Sequence, residues 1–372
     1  AVTLDRTAFY PTGGGQPSDT GTLDSTPVVE CIDQDDGDVL HVIQGRAPQV
    51  GATVRGRVDW ERRQDHIQQH TGQHILSQAF LSLYGAETRS FRMMDESSEI
   101  DVALKDPTDE RVERAIERAN SVIWEDRPVS VRLVTPEEAA ELPLRKDSAR
   151  EGELRIIEIE NFDLSPCGGT HAHRTGEVGH IAARSWERAK GLVRIEFVAG
   201  RRAMADYRRA NRTARRVAAL FSAARDEAPT LVARLLEENK QLMRRIRTFE
   251  EASARVEGAE LVRDAAPRVD GMRVIARIFD GRDAEMLKHL ALAVIAHPQT
   301  VALFGSRDGE TARLVFARSA DASGDMNALL RQACLMLDGR GGGRPDLAQG
   351  GGRHVEKLDD AIEAAARTLT GD

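Results

Sequence analysis

Hydrophobic and polar residues alternate in patterns that predict a chain of mixed helices and strands. Before residue 200, apolar side chains recur at the spacing of one helical face in three segments, and short runs of β-branched residues are typical of strands. The predicted helices are 61–85, 107–127 and 135–142. The predicted strands are Val28–Asp33, Val39–Ile43, Val129–Leu133, Leu154–Ile159 and Val193–Val198, and Asp35–Asp38 is a predicted hairpin turn between the first two.

Residues 201–265 stand apart because their pattern is almost entirely helical. Val217, Leu220 and Phe221 mark one apolar face, and a longer amphipathic run follows Pro229. Proline lacks a backbone N–H and interrupts a helix interior. We therefore expect two helices in this segment.

After Pro267 the predicted strands and helices alternate along the chain. The strands are Met272–Ile278, Thr300–Gly305 and Ala312–Ala317, and the helices are Ala284–Ala296, Met326–Leu337 and Val355–Leu369. Glycine clusters at 339–343 and 350–352 predict loops. Such loops let backbone amides approach a phosphate closely, and they also serve as ordinary flexible connections.

Together these patterns predict an α+β fold with four parts. Residues 1–60 form a small β-rich, barrel-like domain, and 61–200 form an α+β domain. Residues 201–265 form a helical or coiled-coil linker, and 266–372 form a C-terminal α/β domain. A chain of 372 residues has room for two or three domains.

Composition narrows the class of protein. The chain is 41% hydrophobic and 30% charged, and no apolar run approaches the roughly 18 residues of a membrane span. The opening Ala1–Arg6 contains no apolar targeting core. Three cysteines are too few for a disulfide framework, so we expect a reducing cytoplasm. Cys31 and Cys334 are expected to be small buried hydrophobic side chains.

The net charge of −8 is unevenly distributed. Residues 201–265 carry 15 basic and 10 acidic side chains, and seven arginines fall between Arg201 and Arg216. Cations supply much of the affinity for nucleic acid. A solvated helix face accounts for these arginines equally well.

Two pairs of metal-binding side chains are separated by almost a hundred residues. His70 and His74 lie one turn apart on a predicted helix, so both imidazoles share one face. Cys167 and His171 flank two glycines in a segment that favours a tight loop. One thiolate and three imidazoles form a ligand set suited to zinc. The sequence therefore predicts a zinc site.

Several motifs stand in a characteristic order. They are Thr7–Pro17 with Asp19–Gly21, His70–His74, Cys167–His171 with Thr175–Gly179, and the glycine-rich tail Arg340–Asp346. In this order and spacing, the first three motifs resemble the editing module of alanyl-tRNA synthetase and its free-standing AlaX relatives. The tail resembles the DHH-associated domain that ends alanyl-tRNA synthetase and the long AlaX form. The resemblance covers nearly the whole chain.

The resemblance implies hydrolysis of the ester that joins a wrong amino acid, chiefly serine and also glycine, to the 3′ end of alanine tRNA. No class II aminoacylation domain precedes the glycine motif, so the chain is not expected to charge tRNA. It also starts inside the first β domain of long AlaX proteins. The 1–60 domain is therefore expected to be incomplete at its N-terminus, and an edge strand is a candidate for the missing part.

Water is the simplest nucleophile, because no serine or cysteine nucleophile with a base is apparent in the sequence. One alternative is deacylation of another tRNA, since the threonyl synthetase editing domain carries a similar ligand set. A second is a non-catalytic zinc protein that binds tRNA or assembles a complex. A phosphoesterase is a weaker alternative, because the chain has no Asp-His-His run.

Four protein ligands describe a closed zinc site, whereas a hydrolytic zinc keeps one position open. Either one ligand is displaced, or the metal accepts five ligands, or zinc only orders the pocket and the terminal adenosine. His173 is a further candidate ligand that could substitute for one of the four. The sequence leaves these alternatives open.

The predicted substrate contacts are glycines and polar residues in or near the motifs, and the predicted tRNA contacts are arginines. Serine has one hydroxyl more than alanine, and a pocket that hydrogen-bonds this group discriminates by roughly 10⁴ or more. The substrate candidates are Gly13, Gly14, Gly15, Gln16, Thr71 and Ser90, with Thr88 as an alternative to Ser90. The tRNA candidates are Arg208, Arg209, Arg212, Arg340 and Arg344. We also expect a homodimer through the C-terminal region. For each polar substrate candidate, an ordinary turn or strand position is an equally good explanation.

Overall fold

The computed structural model describes residues 1–34, 37–145 and 152–370. The chain divides into two compact units, Ala1–Arg225 and Asp226–Asp372. The mixture of helices and several sheets confirms the predicted α+β class, whereas the boundaries of the four predicted domains remain a prediction. In the part of the chain that the structure describes, no helix is both long enough and apolar enough to span a bilayer.

The N-terminal strands form one open antiparallel sheet. They are β1 (Val2–Thr3), β2 (Gly21–Leu23), β3 (Thr26–Asp33), β4 (Val39–Ile43) and β5 (Gly56–Val58), in the order β1-β4-β3-β2-β5. The prediction of a barrel-like domain was wrong, because among the described residues β1 and β5 are edges that do not pair with each other. Strands of two and three residues are too short for the staggered pairing that closes a barrel.

The two strands of the predicted hairpin are present in this sheet. β3 and β4 pair antiparallel, with Cys31 opposite His41, and Cys31 packs in the small core of the sheet with Phe9 and Leu23. The predicted turn falls partly on residues 35 and 36, which lie outside the described residues.

Helix α1 (Trp60–Tyr84) crosses the centre of the first unit. The Asp59 side chain accepts hydrogen bonds from the first turn, and Gly85 ends the helix in a left-handed conformation with φ of 63°. Its C-terminal half buries apolar side chains such as Phe80, whereas the preceding turns bury glutamines and histidines. Buried polar side chains need partners, and the backbone of Ala199 supplies two of them to Gln69.

Two further sheets and three helices complete the first unit. A four-stranded sheet has the order β11-β12-β7-β6, and a three-stranded sheet has the order β10-β9-β8. The elements are β6 (Thr88–Met93), β7 (Ser98–Val102), α2 (Asp109–Trp124), β8 (Val129–Val134), α3 (Pro136–Ala140), β9 (Leu154–Ile159), β10 (Asp163–Pro166), β11 (Ile181–Ala189), β12 (Leu192–Ala199) and α4 (Arg201–Leu220). Strand β10 leads directly into the loop that contains Cys167 and His171.

The second unit begins with the long helix α5 (Ala228–Asp264). The expected break in the helical segment is confirmed, because α4 ends at Leu220 and Pro229 lies in the first turn of α5. The remaining elements are β13 (Arg273–Asp280), α6 (Ala284–Ile295), β14 (Thr300–Asp308), β15 (Thr311–Arg318), α7 (Met326–Met336), β16 (Gly339–Gly343), β17 (Leu347–Gly352) and α8 (Leu358–Thr370). The sheet order is β13-β14-β15-β17-β16, and only β13 and β14 run parallel among these strand pairs.

The glycine clusters of this unit are strands and not loops. Strands β16 and β17 pair antiparallel, and helix α7 packs closely against them. A side chain at Gly341 would place its Cβ 2.7 Å from Leu330, and one at Gly350 would lie 2.6 Å from Cys334 Sγ. The glycines therefore let a helix approach the sheet closely, which local sequence alone does not reveal.

Candidate metal centre

The structure brings the two predicted ligand pairs together. His70 and His74 come from successive turns of α1, and Cys167 and His171 come from the loop after β10. Their ligand atoms all lie within 4.8 Å of one another. Cys167 Sγ lies 3.3 Å from His70 Nε2 and 3.4 Å from His171 Nε2.

These distances suit a tetrahedral zinc ion. Zinc bonds of about 2.3 Å to sulfur and about 2.0–2.1 Å to nitrogen imply a sulfur-to-nitrogen separation of roughly 3.5 Å. The two separations measured from Cys167 Sγ are close to this value. The donor atoms therefore fit the metal that the sequence predicts.

A polar oxygen lies beside the Nδ1 atom of each imidazole. A partner at Nδ1 orients a metal-binding imidazole and determines its tautomer. The partners are Gln16 Oε1 for His70 at 2.8 Å, Asp163 Oδ2 for His74 at 2.9 Å and Thr71 Oγ1 for His171 at 3.4 Å. Each ring is thus held by a different part of the chain.

The electrostatics favour the metal-binding forms of Cys167 and His171. Burial alone would raise the pKa of the Cys167 thiol, but the charge of His74 and hydrogen bonds from His171 outweigh burial and lower it. Burial and the nearby charge of His74 lower the pKa of His171 to about 3. A thiolate and a neutral imidazole are the forms that coordinate zinc.

Asp163 is also ionised in this environment. Burial alone would raise the pKa of its carboxyl, but the hydrogen bond with His74 and the charge of Arg145 lower it to about 2. Sequence reasoning missed both Asp163 and Arg145. A signal existed for the first, since Asp163, Ser165 and Cys167 occur at alternate positions, which is the period of a strand with one buried face.

The loop that carries Cys167 and His171 depends on one of its two glycines. A Cβ at Gly169 would overlap the His70 ring, whereas a Cβ at Gly168 would meet no atom within 4 Å. Arg155 donates through Nη1 to the carbonyls of Cys167 and Gly169, at 2.7 and 3.0 Å. The loop backbone therefore lies close against α1.

The glycine motif near the N-terminus reaches the same cluster. Gly14 and Gly15 adopt positive φ angles of 57° and 81°, and they form a tight turn closed by hydrogen bonds between Gly13 and Gln16. Gln16 is completely buried. Its Nε2 donates to Thr170 Oγ1 at 3.0 Å, and its Oε1 accepts from the Thr170 backbone N–H at 3.2 Å. Gln16 thus contacts both ligand-bearing segments.

The specificity candidates lie at different distances from this arrangement. Thr71 is buried, and its hydroxyl accepts from the Ala172 N–H at 3.0 Å. Thr88 donates to Ser77 Oγ at 2.8 Å, and the exposed Ser90 donates to Asp101 Oδ2 at 2.7 Å. Phe91, also on strand β6, has its ring centroid 5.2 Å from that of the His70 ring. The substrate roles of Thr71, Thr88 and Ser90 remain predictions.

His173 is placed away from the ligand set. Its side chain is exposed, and the cluster found among the described residues comprises the other four side chains. The structure gives no support to His173 as a substitute ligand.

The arginines predicted to bind tRNA lie partly on the first unit and partly on the second, and they are exposed on each. Arg208 and Arg212, together with Arg215 and Arg216, line a shallow depression of about 430 Å³ on α4. Arg209 lies 3.6 Å from the Glu96 carboxylate. On the second unit, Arg340 and Arg344 are exposed, and Arg344 pairs with Asp346 at 3.2 Å. Their roles remain predictions.

A buried histidine one turn before the ligands makes stability depend on pH. Burial and the charge of Arg62 lower the pKa of His66 to about 4. Between pH 6.5 and 4 the unfolded chain therefore binds a proton that the folded chain does not, and stability falls as pH falls. We expect the free energy of unfolding to decrease by about 3 kcal/mol across this range from His66 alone.

The contribution of His66 can be measured by urea unfolding of chelator-treated protein at several pH values. All three tryptophans, Trp60, Trp124 and Trp186, lie in the first unit, so their fluorescence reports on that unit. The His66→Gln variant is expected to flatten the dependence between pH 6.5 and 4, whereas His180→Gln at an exposed histidine retains it. Equal slopes for His66→Gln and the unsubstituted protein would contradict the expectation.

Three family models match parts of the chain. The model described as "Threonyl and Alanyl tRNA synthetase second additional domain" matches residues 154–196, which include Cys167 and His171. The "DHHA1 domain" model matches residues 271–371. The model "tRNA synthetases class II (A)" matches residues 1–62, which include the glycine motif.

Similar proteins extend across the whole chain. It is 34% identical to the alanine–tRNA ligase of Methanoregula boonei over 98% of this chain, but it spans only 40% of that ligase. It is 32% identical to the alanyl-tRNA editing protein AlaX-L of Pyrococcus horikoshii, over 99% of this chain and 91% of the relative.

Among solved structures, the C-Ala domain of Aquifex aeolicus alanyl-tRNA synthetase is 28% identical. The match covers 27% of this chain and 93% of that domain, with a TM-score of 0.26. That score is too low to support any comparison of folds. The AlaX-L match, in contrast, runs along nearly the full length of both proteins and includes all the motifs described above. This chain belongs to the family of alanyl-tRNA editing proteins of the AlaX-L type.

Proposed function

We propose that this protein hydrolyses the aminoacyl ester of tRNA(Ala) mischarged with serine, and also with glycine. The observation that carries the proposal is the cluster of His70, His74, Cys167 and His171, in a chain similar to an editing protein along nearly its whole length. The glycine motif contacts this cluster through Gln16.

The cluster is proposed to hold a zinc ion, which when bound supplies Lewis-acid polarisation of the ester carbonyl or electrostatic order at the substrate's terminal adenosine. Gln16, Thr71 and Asp163 hold the three imidazoles. Cys167 belongs to the cluster and is not available as a nucleophile, so the proposed nucleophile is water. The Phe91 ring, whose centroid lies 5.2 Å from that of His70, is proposed to help exclude bulk solvent.

Selectivity for serine is proposed to depend on a hydrogen bond to its hydroxyl group. Thr71 is the best-placed candidate, because its hydroxyl lies beside His171 at the cluster. The backbone groups of Gly13–Gly15 are proposed to close the pocket. Ser90, hydrogen-bonded to Asp101 on an exposed part of β6, is the weaker candidate.

The first experiment compares release of serine from Ser-tRNA(Ala) with release of alanine from Ala-tRNA(Ala), using zinc-loaded protein. Rapid release of serine with alanine spared is expected. Serine release from Ser-tRNA(Thr) but not from Ser-tRNA(Ala) would favour the threonyl-type alternative. Binding of tRNA without any hydrolysis by folded, zinc-loaded protein would favour the non-catalytic alternative.

The tRNA is proposed to contact exposed arginines. Arg208, Arg212, Arg215 and Arg216 recur at i, i+4, i+7 and i+8, so one face of α4 presents four guanidinium groups. Such a face suits the phosphate backbone of RNA. Arg209, Arg340 and Arg344 are proposed as additional contacts. The C-terminal part of the chain, 266–372, is proposed as the DHH-associated-type domain.

A second copy of the chain is proposed to pair along α5. Exposed residues on this helix repeat at alternating spacings of three and four, which is the pattern of a coiled coil. We call them the α5 seam: Val232, Leu235, Asn239, Leu242, Ile246 and Phe249. In a parallel pair Asn239 meets its own counterpart, and Arg245 faces Glu250 of the other copy. The seam is therefore complementary to itself in both polarity and charge.

The Ile246→Asp variant is expected to dissociate this dimer, because it places a charge in the apolar seam. Sedimentation or light scattering should then give twice the mass of one chain for the unsubstituted protein and the mass of one chain for the variant. Thr248→Asp, on the opposite exposed side of the same turn, is the matched control and should remain dimeric. A monomeric unsubstituted protein would contradict the pairing.

A further inference from the structure

A buried carboxylate lies directly behind the proposed zinc ligands. Asp163 Oδ2 lies 2.9 Å from His74 Nδ1, and the Asp163 side chain is fully buried. Arg145 donates through Nε to Oδ1 at 2.7 Å, and Ser165 Oγ donates to the same oxygen at 2.9 Å. The Asp163 carboxylate therefore accepts hydrogen bonds from an imidazole, a guanidinium and a hydroxyl.

The position of Asp163 determines which nitrogen of His74 is turned towards the other ligands. An ionised carboxylate can only accept, so Nδ1 is the donor in this contact. Arg145 Nη2 lies 3.4 Å from the same nitrogen, but Asp163 is closer by half an ångström. His74 is also hydrogen-bonded to Cys167. With Nδ1 engaged by Asp163, Nε2 is the nitrogen on the side of Cys167, where it would bind a metal in place of a proton.

The partner of His74 differs in kind from those of the other two imidazoles. His70 is held by the neutral amide of Gln16, and His171 lies beside the neutral hydroxyl of Thr71. A carboxylate is the stronger acceptor, and it makes the imidazole that it holds a better electron donor to a metal. Asp163 should therefore contribute more to metal binding than either neutral partner.

The guanidinium of Arg145 lets this carboxylate remain ionised in a buried place. An unpaired buried charge is costly, whereas a paired and hydrogen-bonded one is tolerated. The Arg145 side chain is only 8% exposed, and it also lies 3.0 Å from Ser165 Oγ. Strand β10 brings Asp163 and Ser165 to the same face immediately before Cys167.

We propose that Asp163 is a positioning residue for the zinc site, held by Arg145 and Ser165, which orients the His74 ring through Nδ1 so that Nε2 is the atom presented to a metal. This inference rests on the proposal that the cluster binds zinc. Asp163 acts through His74, and no direct contact with substrate is required of it.

The Asp163→Asn variant tests this role through zinc affinity, measured by competition with a chromophoric chelator. An amide cannot accept from both His74 and Arg145, because one of its two polar atoms is a donor. We expect zinc to bind about 10- to 100-fold more weakly. The matched control is Asp101→Asn, since Asp101 also accepts from an arginine and a serine but from no ligand imidazole. The control should bind zinc as the unsubstituted protein does.

The outcomes separate this inference from the zinc proposal. An unsubstituted protein that takes up no zinc would overturn both. Normal zinc affinity in folded Asp163→Asn would overturn the role of Asp163 alone, and so would an equal loss in both variants. If circular dichroism shows that Asp163→Asn does not fold, ¹⁵N-histidine NMR of the zinc-loaded unsubstituted protein decides the matter. A proton on His74 Nδ1 is expected, and its absence would refute the inference.

Discussion

The Cys167→Ala, His171→Ala double variant is expected to lose both zinc binding and the release of serine from Ser-tRNA(Ala). It removes the only thiolate of the cluster and one of its three imidazoles, so two neighbouring ligands remain on α1. Losing half of a tetrahedral ligand set should weaken zinc binding by about a thousandfold or more, which corresponds to about 4 kcal/mol or more. Chelator competition measures the affinity, and single-turnover hydrolysis measures the activity.

The matched control for this variant replaces the other two cysteines. The Cys31→Ala, Cys334→Ala double variant removes two buried thiols that are not part of the cluster, and it should retain zinc and activity. Hydrolysis that persists in a zinc-free Cys167→Ala, His171→Ala protein would show that neither the metal nor these side chains supply the chemistry. Such a result would also mean that selectivity for serine does not depend on a pocket ordered by the metal.

Gly169→Ala is expected to disrupt the metal centre almost as severely, although it changes no ligand. The added Cβ would overlap the His70 ring, so either the ring or the loop must move. A displacement of the loop would separate Cys167 and His171 from the ligands on α1. We expect zinc affinity to fall by about 100-fold, comparable to the loss of a strong outer contact to a ligand.

Gly168→Ala is the control for this prediction, because it makes the same chemical change at the adjacent residue. A Cβ at Gly168 meets no atom within 4 Å, and neither glycine has a positive φ. The two variants therefore differ in the contact with His70 and not in backbone strain. Equal zinc affinity in both variants would mean that the loop does not press against His70 in solution.

Much of the secondary structure was predictable because its causes are local. The helical spacing of apolar residues marked α1, and the proline at 229 marked the start of α5. The local sequence pattern gave the wrong secondary structure where a glycine is needed for close contact between distant segments. Gly341 and Gly350 looked like loop residues, but they form paired strands under α7 because a helix must approach the sheet closely there.

The candidate metal ligands were recognisable because thiolate and imidazole pairs are chemically distinctive. Their capacity to bind a metal could be inferred without knowing how the chain folds. The residues are His70, His74, Cys167 and His171. Their role as a zinc site is still a prediction, but the structure does bring them together.

The sequence by itself determined the candidate ligands, the helical and strand periods and the family resemblance, because each depends on residue type and short spacing. Only the tertiary structure decided which side chains hold the imidazoles in place. Gln16, Asp163 and Thr71 reach their histidines across 54, 89 and 100 residues of chain. Contacts of that separation depend on how α1, β10 and the glycine motif pack together, and no local pattern encodes that packing.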